Sequence, residues 1–107
     1  MKMKIWVDAD ACPKPIKDIL FRLAERREIV VTFVANQRLR LIESPFVQLI
    51  QVESGANIAD DEIVNKCKDG DLIITADIPL AARIVAKGAQ ALDPRGKFTI
   101  KTISGSY

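Results

Sequence analysis

Short apolar runs and longer segments with helical spacing alternate along most of this chain. Ile5-Trp6-Val7 is an unbroken apolar run that stops at Asp8, the pattern of a buried strand. Pro13 and Pro15 stand where a helix begins, and Ile16, Ile19, Leu20 and Leu23 follow at helical spacing. Arg26 and Arg27 fall in its last turn, where cations suit the helix dipole. A second run, dense in β-branched residues, extends from Ile29 to Val34 and ends at Ala35-Asn36. Gln37 to Ser44 is basic and irregular, Pro45 closes it, and Phe46 to Val52 reads as a third strand.

Ser54-Gly55 then breaks the chain. Asp60-Asp61-Glu62 open a second helix with Ile63, Val64 and Cys67 on one side, and Asp69-Gly70 makes a turn. Leu72-Ile73-Ile74-Thr75 is a fourth strand leading to Asp77. Pro79 lies in the first turn of a third helix carrying Leu80, Ile84 and Val85, and Gly88 is placed to cap its end. Ala89 to Leu92 is a fifth strand, followed by the turn Asp93-Pro94-Arg95-Gly96. Such alternation specifies an α/β fold, a largely parallel sheet with helices on both faces. The second and third strands are an exception, because no clear helical segment joins them.

Composition narrows the chemistry. A chain of 107 residues with 49% hydrophobic positions suits one domain around one sheet. No stretch approaches the ~18–20 apolar residues of a membrane span. The apolar run after Met1-Lys2-Met3-Lys4 ends at Asp8, too early for a signal peptide, so a cytoplasmic protein is expected. Cys12 and Cys67 are far apart and fit no zinc or redox spacing, so both are expected to be packing residues rather than a disulfide. The chain has no histidine, which removes Ser-His-Asp and Cys-His catalysis and histidine-bound zinc within it. A net charge of +2 permits a nucleic-acid partner without demanding one.

What remains is carboxylate chemistry. In open parallel sheets, ligands bind beyond the carboxyl ends of the strands where strand order reverses. Two strands run into aspartate at that end: Ile5-Trp6-Val7-Asp8-Ala9-Asp10 and Leu72-Ile73-Ile74-Thr75-Ala76-Asp77. If those strands are neighbours, the carboxylates meet, and they repel unless a cation joins them. Oxygen ligands without histidine point to magnesium or manganese. Helix capping competes with this reading: Asp77 before Ile78-Pro79 is a good cap, and Asp10 is placed to cap the helix near Pro13. Asp60 and Asp61 suit a helix start as well as they suit catalysis. Arg38 and Arg40 on the basic loop are candidate phosphate contacts, with a solvated loop as the alternative. Cys12 at a helix start is a poor nucleophile, because the neighbouring aspartates oppose its ionisation.

Val7-Asp8-Ala9-Asp10-Ala11-Cys12-Pro13, Val34-Ala35-Asn36, Ala59-Asp60-Asp61-Glu62-Ile63, the segment from Gly70 to Ala81 and Asp93-Pro94-Arg95-Gly96 resemble the bacterial YaiI/YqxD family. The likeness covers roughly residues 4–97. The family's fold is similar to PIN-like nuclease domains, which hold magnesium or manganese with acidic residues and cut RNA. The resemblance implies a three-layer α/β/α fold with a five-stranded sheet in the order 3-2-1-4-5. It matches Asp8 to the acid after the first strand, Asp60 or Asp61 to the acid opening a middle helix, and Asp77 to the acid after the fourth strand. Asp10 belongs to the family's own signature. An acidic residue is usual near the position of Asn57, so this chain has fewer ligands to offer. Residues 1–97 are expected to form the PIN-like domain, and 98–107 a divergent, truncated tail. Relatives continue there into helical sequence, and its loss would expose apolar sheet and favour a homodimer. Phe98 to Ile103 is expected either to pair as an edge strand or to end the chain without order.

The resulting expectation is a metal-dependent phosphodiesterase whose substrate is RNA or another nucleic acid. Asp8 and Asp77 would bind metal directly, Asp10 and Asp60 directly or through water. Asp61 would orient the attacking water, and Thr75 would bond a phosphate oxygen. Asp8, Asp10, Asp61 and Asp77 make up the expected catalytic set. A second hypothesis is a phosphatase of the haloacid-dehalogenase type, with Asp8 as nucleophile and Asp10 as general acid. A third is a non-catalytic module that binds nucleic acid or a protein partner.

Overall fold

The computed structural model describes residues 3–55, 57–96 and 99–100. Its elements are β1 (Ile5–Asp8), a 3-10 turn (Ala9–Ala11), α1 (Lys14–Arg27), β2 (Val31–Ala35), β3 (Val47–Gln51), α2 (Ile58–Lys66), β4 (Leu72–Ile74), α3 (Ile78–Ala86), β5 (Gln90–Leu92) and β6 (Thr99–Ile100). The sheet order is β3-β2-β1-β4-β5-β6. The first five strands are parallel, in the expected order, and β6 returns antiparallel to β5.

The period-two alternation of the strands divides the core between two faces. Ile5 and Val7 of β1, with Val31, Phe33 and Ala35 of β2 and Ile74 of β4, pack under Leu20 and Ala24 of α1. Trp6, Val34 and Ile73 point the other way, onto Ile63 of α2 and Leu80 and Ile84 of α3. One helix covers one face and two cover the other, a three-layer α/β/α arrangement. As the sequence suggests, no helix joins β2 to β3; an irregular loop makes the crossover, fastened by Val31 N to Phe46 O (2.8 Å) and Val52 N to Ala35 O (2.9 Å).

Local boundaries shift for identifiable reasons. α2 starts at Ile58 rather than Asp60, because Asn57 adopts a left-handed conformation (φ 68°) and turns the chain into the helix. Cys67 lies just past the end of α2 instead of on its side. Gly88 ends α3 as expected: its φ is 90°, and a Cβ there would stand 2.9 Å from Asp69 Oδ1. Both cysteines are buried free thiols. Of the expected edge strand, Thr99 and Ile100 pair with β5; Phe98 and residues 101–103 lie outside the described residues. Among the described residues no helix is long and apolar enough to cross a membrane.

Candidate functional site

The parallel register of β1 and β4 sets Val7 beside Ile74, so the residues that follow, Asp8 and Thr75, emerge together at the carboxyl end of the sheet. Strand order reverses here, with β1 leading to β2 on one side and flanked by β4 on the other. The Thr75 hydroxyl donates to Asp8 Oδ2 at 3.1 Å and accepts the Asp77 N–H at 3.1 Å. Asp77 Oδ1 in turn accepts the Leu80 N–H at 3.0 Å and caps α3. Thr75 is fully buried and its hydroxyl is engaged on both sides. It therefore fastens Asp8 to the loop carrying Asp77, in place of the phosphate contact expected of it.

Asp10 sits exposed in the 3-10 turn after β1, and its Oδ2 accepts the backbone N–H of Asn36 at 3.1 Å. It does not cap α1, whose N-terminal boundary is Pro13 with no side-chain cap. It ties the 3-10 turn to the end of β2 instead. Asp60 and Asp61 lie in the first turn of α2. Asp61, expected to orient water, is exposed, and its Oδ1 pairs with Arg83 Nη2 of α3 at 2.9 Å. Lys87 donates to Val64 O and Cys67 O at the other end of α2, the second bond at 3.0 Å. α3 thus holds α2 near both ends and presents Asp60 toward β1.

The electrostatics bring four carboxylates into one group. Burial pushes Asp8 from an ordinary 3.8 up to about 6. The hydrogen bond from Thr75 opposes that rise, and repulsion from Asp60, Asp10 and Asp77 adds to it. Asp60 is also raised, first by burial and then by Asp77, with Arg83 working in the other direction. The Cys12 thiol is pushed up by burial, with Lys17 opposing and Asp8 assisting the rise, and it donates to Pro13 O, so the thiolate is disfavoured on balance.

The donor set suits a hard divalent cation in kind: all oxygen, anionic, and self-repelling without a counter-charge. Asp8, Asp10 and Asp77 each have one oxygen bonded within the protein. Among the described residues, however, no three of these groups converge closely enough to enclose one ion. Side-chain rotation would be needed to gather them. Arg38 and Arg40 are exposed on the loop that begins at Asn36.

A buried carboxylate at the opposite end of the sheet was not foreseen. Asp71, only 5% exposed, accepts N–H groups from Trp6 Nε1 (3.0 Å), Lys68 (2.9 Å) and Lys4 (3.2 Å). The available signal was an acid directly before an apolar strand, with a tryptophan in another strand needing a partner for its N–H.

Comparison with known proteins agrees with the motif reading. The sequence profile of the YaiI/YqxD family, described as uncharacterised, matches residues 6–106, so the likeness runs beyond Gly96-Lys97 into the tail. A UPF0178 protein of Shewanella amazonensis is 62% identical over 95 residues, covering 89% of this chain and 64% of the relative. One of Proteus mirabilis is 58% identical over 102 residues, 94% of this chain and 68% of its own length. One of Klebsiella pneumoniae is 62% identical over 95 residues, 89% of this chain and 62% of its own. The chain thus spans 62–68% of the length of these curated relatives. No solved structure matches it. With a profile matched over nearly its whole length and relatives this similar, the chain belongs to the YaiI/YqxD family.

Proposed function

We propose that this chain carries the site of a divalent-cation-dependent phosphodiesterase acting on RNA. The observation that carries the reading is Asp8. It stands at the end of a central strand, at the reversal of strand order, with a pKa pushed to about 6 by burial and by repulsion from three further aspartates. Burial and like charge together are the arrangement that perturbed functional carboxylates share. Asp8, Asp60 and Asp77 would hold the ion, and Asp10 would act through water. A bound magnesium or manganese would supply an activated water and neutralise the leaving oxygen.

The chain's own residues do the positioning. Thr75 ties Asp8 to the loop that carries Asp77, and the cap on α3 engages one oxygen of Asp77. The bonds from Arg83 and Lys87 hold α2, and with it Asp60. Arg38 and Arg40 supply cationic groups for phosphates. The rival assignment, a nucleophilic Asp8 with Asp10 as general acid, has less support. Asp10 is drawn to Asn36, and the charges that act on Asp8 are all aspartates. Reduced Cys12 and Cys67 suit a reducing compartment, and the cytoplasm is the proposed location.

The test is a pair of thermal melts, in chelator and in millimolar manganese, with RNA cleavage measured alongside. Filling a site at ~100 times its dissociation constant stabilises the native state by about 2.7 kcal/mol, on the order of 10–20 °C for a domain of this size. Asp8→Asn and Asp60→Asn are expected to shrink that shift and abolish cleavage. No manganese shift and no cleavage by the wild-type protein would overturn the proposal.

A further inference from the structure

Between the acidic group and the arginine loop lies an open depression of about 290 Å³. Asp10, Lys17, Asn36 and Gln37 form its polar lining, with Cys12 and Leu39 as apolar surface. A second depression of about 460 Å³, lined by Arg38, Leu39, Arg40 and Leu41, adjoins it at Leu39. The loop is anchored where it starts, because the Asn36 N–H is bonded to Asp10. Together the two adjoining depressions make a track lined by the Asp10 carboxylate, two amides, an ammonium and two guanidinium groups.

We infer that the depression beside Asp10 seats an unpaired nucleobase of single-stranded RNA, with the adjoining phosphate held at Arg38 and Arg40. This rests on the proposed function and names its substrate class. The two kinds of group along the track answer the two parts of a nucleotide. The side chains of Asn36 and Gln37 line the depression, and each amide carries both a donor and an acceptor. Paired donors and acceptors of this kind read the edges of nucleobases, whereas phosphates call for cations. Leu39 offers apolar surface for a base face, and it is held in place by packing against the core under α1. A volume of about 290 Å³ lies at the small end of ligand sites, suited to one base. A base held in a duplex cannot turn its edge into such a depression, so the strand must be single.

The experiment is equilibrium binding of a short labelled single-stranded RNA in chelator, so that no cleavage intervenes. The same strand in duplex form and an abasic strand of equal length serve as comparisons. The wild-type protein should prefer the single strand to both. The Asn36→Ala/Gln37→Ala pair should lose on the order of ten-fold in affinity for the base-bearing strand and little for the abasic one. Equal losses on both strands, no loss, or no preference for the single strand would overturn the inference. If the double variant does not fold by thermal melt, Gln37→Ala alone, at that exposed position, carries the same comparison. Binding that behaves as described without any cleavage in manganese would leave the base site standing and remove the phosphodiesterase reading.

Discussion

The two ends of the β1–β4 strand pair each hold an aspartate, and the two are treated in opposite ways. At the amino end, buried Asp71 receives three N–H donors, from Lys4, Trp6 and Lys68. At the carboxyl end, Asp8 receives one hydroxyl, from Thr75, and faces three other aspartates. A carboxylate supplied with donors joins segments firmly, since every buried polar group is matched. One that is partly buried among like charges weakens the fold unless a cation or proton relieves it. The first arrangement serves the fold. The second is the arrangement that protonation or a bound cation would relieve.

The largest effect that would sharpen this contrast is expected at Asp71. Asp71→Ala strips the acceptor from the Trp6 indole and two backbone N–H groups, and should cost about 3–4 kcal/mol in urea denaturation. A loss below about 1 kcal/mol would mean that water replaces the carboxylate and that the amino end is no anchor.

The opposite sign is expected at Asp8. The folded protein holds a proton on Asp8 up to about pH 6, whereas the unfolded chain releases it near 3.8. Stability from this group is therefore complete below pH 3.8 and is lost as pH rises through 6. With allowance for its partial exposure to solvent, the loss is on the order of 2 kcal/mol. Metal-free melts between pH 4 and pH 7.5 should show Asp8→Asn gaining on wild type by about that amount as pH rises. A constant difference across the range would break the contrast between the two ends.

The smallest effect belongs to Asp77. Asparagine caps a helix about as well as aspartate, so Asp77→Asn should retain the bond to Leu80 and change metal-free stability by less than about 0.5 kcal/mol, upward if at all. In millimolar manganese the same variant should gain far less than wild type. Equal manganese shifts in both proteins would reduce Asp77 to a cap.

Much of the architecture can be read along the chain, because its elements announce themselves locally. Ile5-Trp6-Val7 and Leu72-Ile73-Ile74 are too apolar to lie anywhere but in the sheet, Pro13, Pro15 and Pro79 mark helix starts, and Gly88 marks a helix end. That Asp8 and Asp77 each follow a strand is also plain from sequence, as is the capping role of Asp77. Motif likeness supplies the strand order. Contacts between residues distant in sequence are a different matter.

No local pattern tells that Asp71 would meet Trp6, 65 positions away, or that Thr75 would spend its hydroxyl on Asp8, 67 positions away. Nor does it tell that Asp10 would hold Asn36 instead of capping α1, or that Arg83 would take Asp61. These depend on strand register and on the seating of α2 against α3, which exist only once the sheet has formed. The sequence by itself determined the strands, the helices and which acids stand at strand ends, because hydrophobic period, proline and glycine act within a few residues. Tertiary structure alone decided which carboxylate is matched by donors and which is crowded by like charge, because that depends on the donors and charges that folding brings beside it.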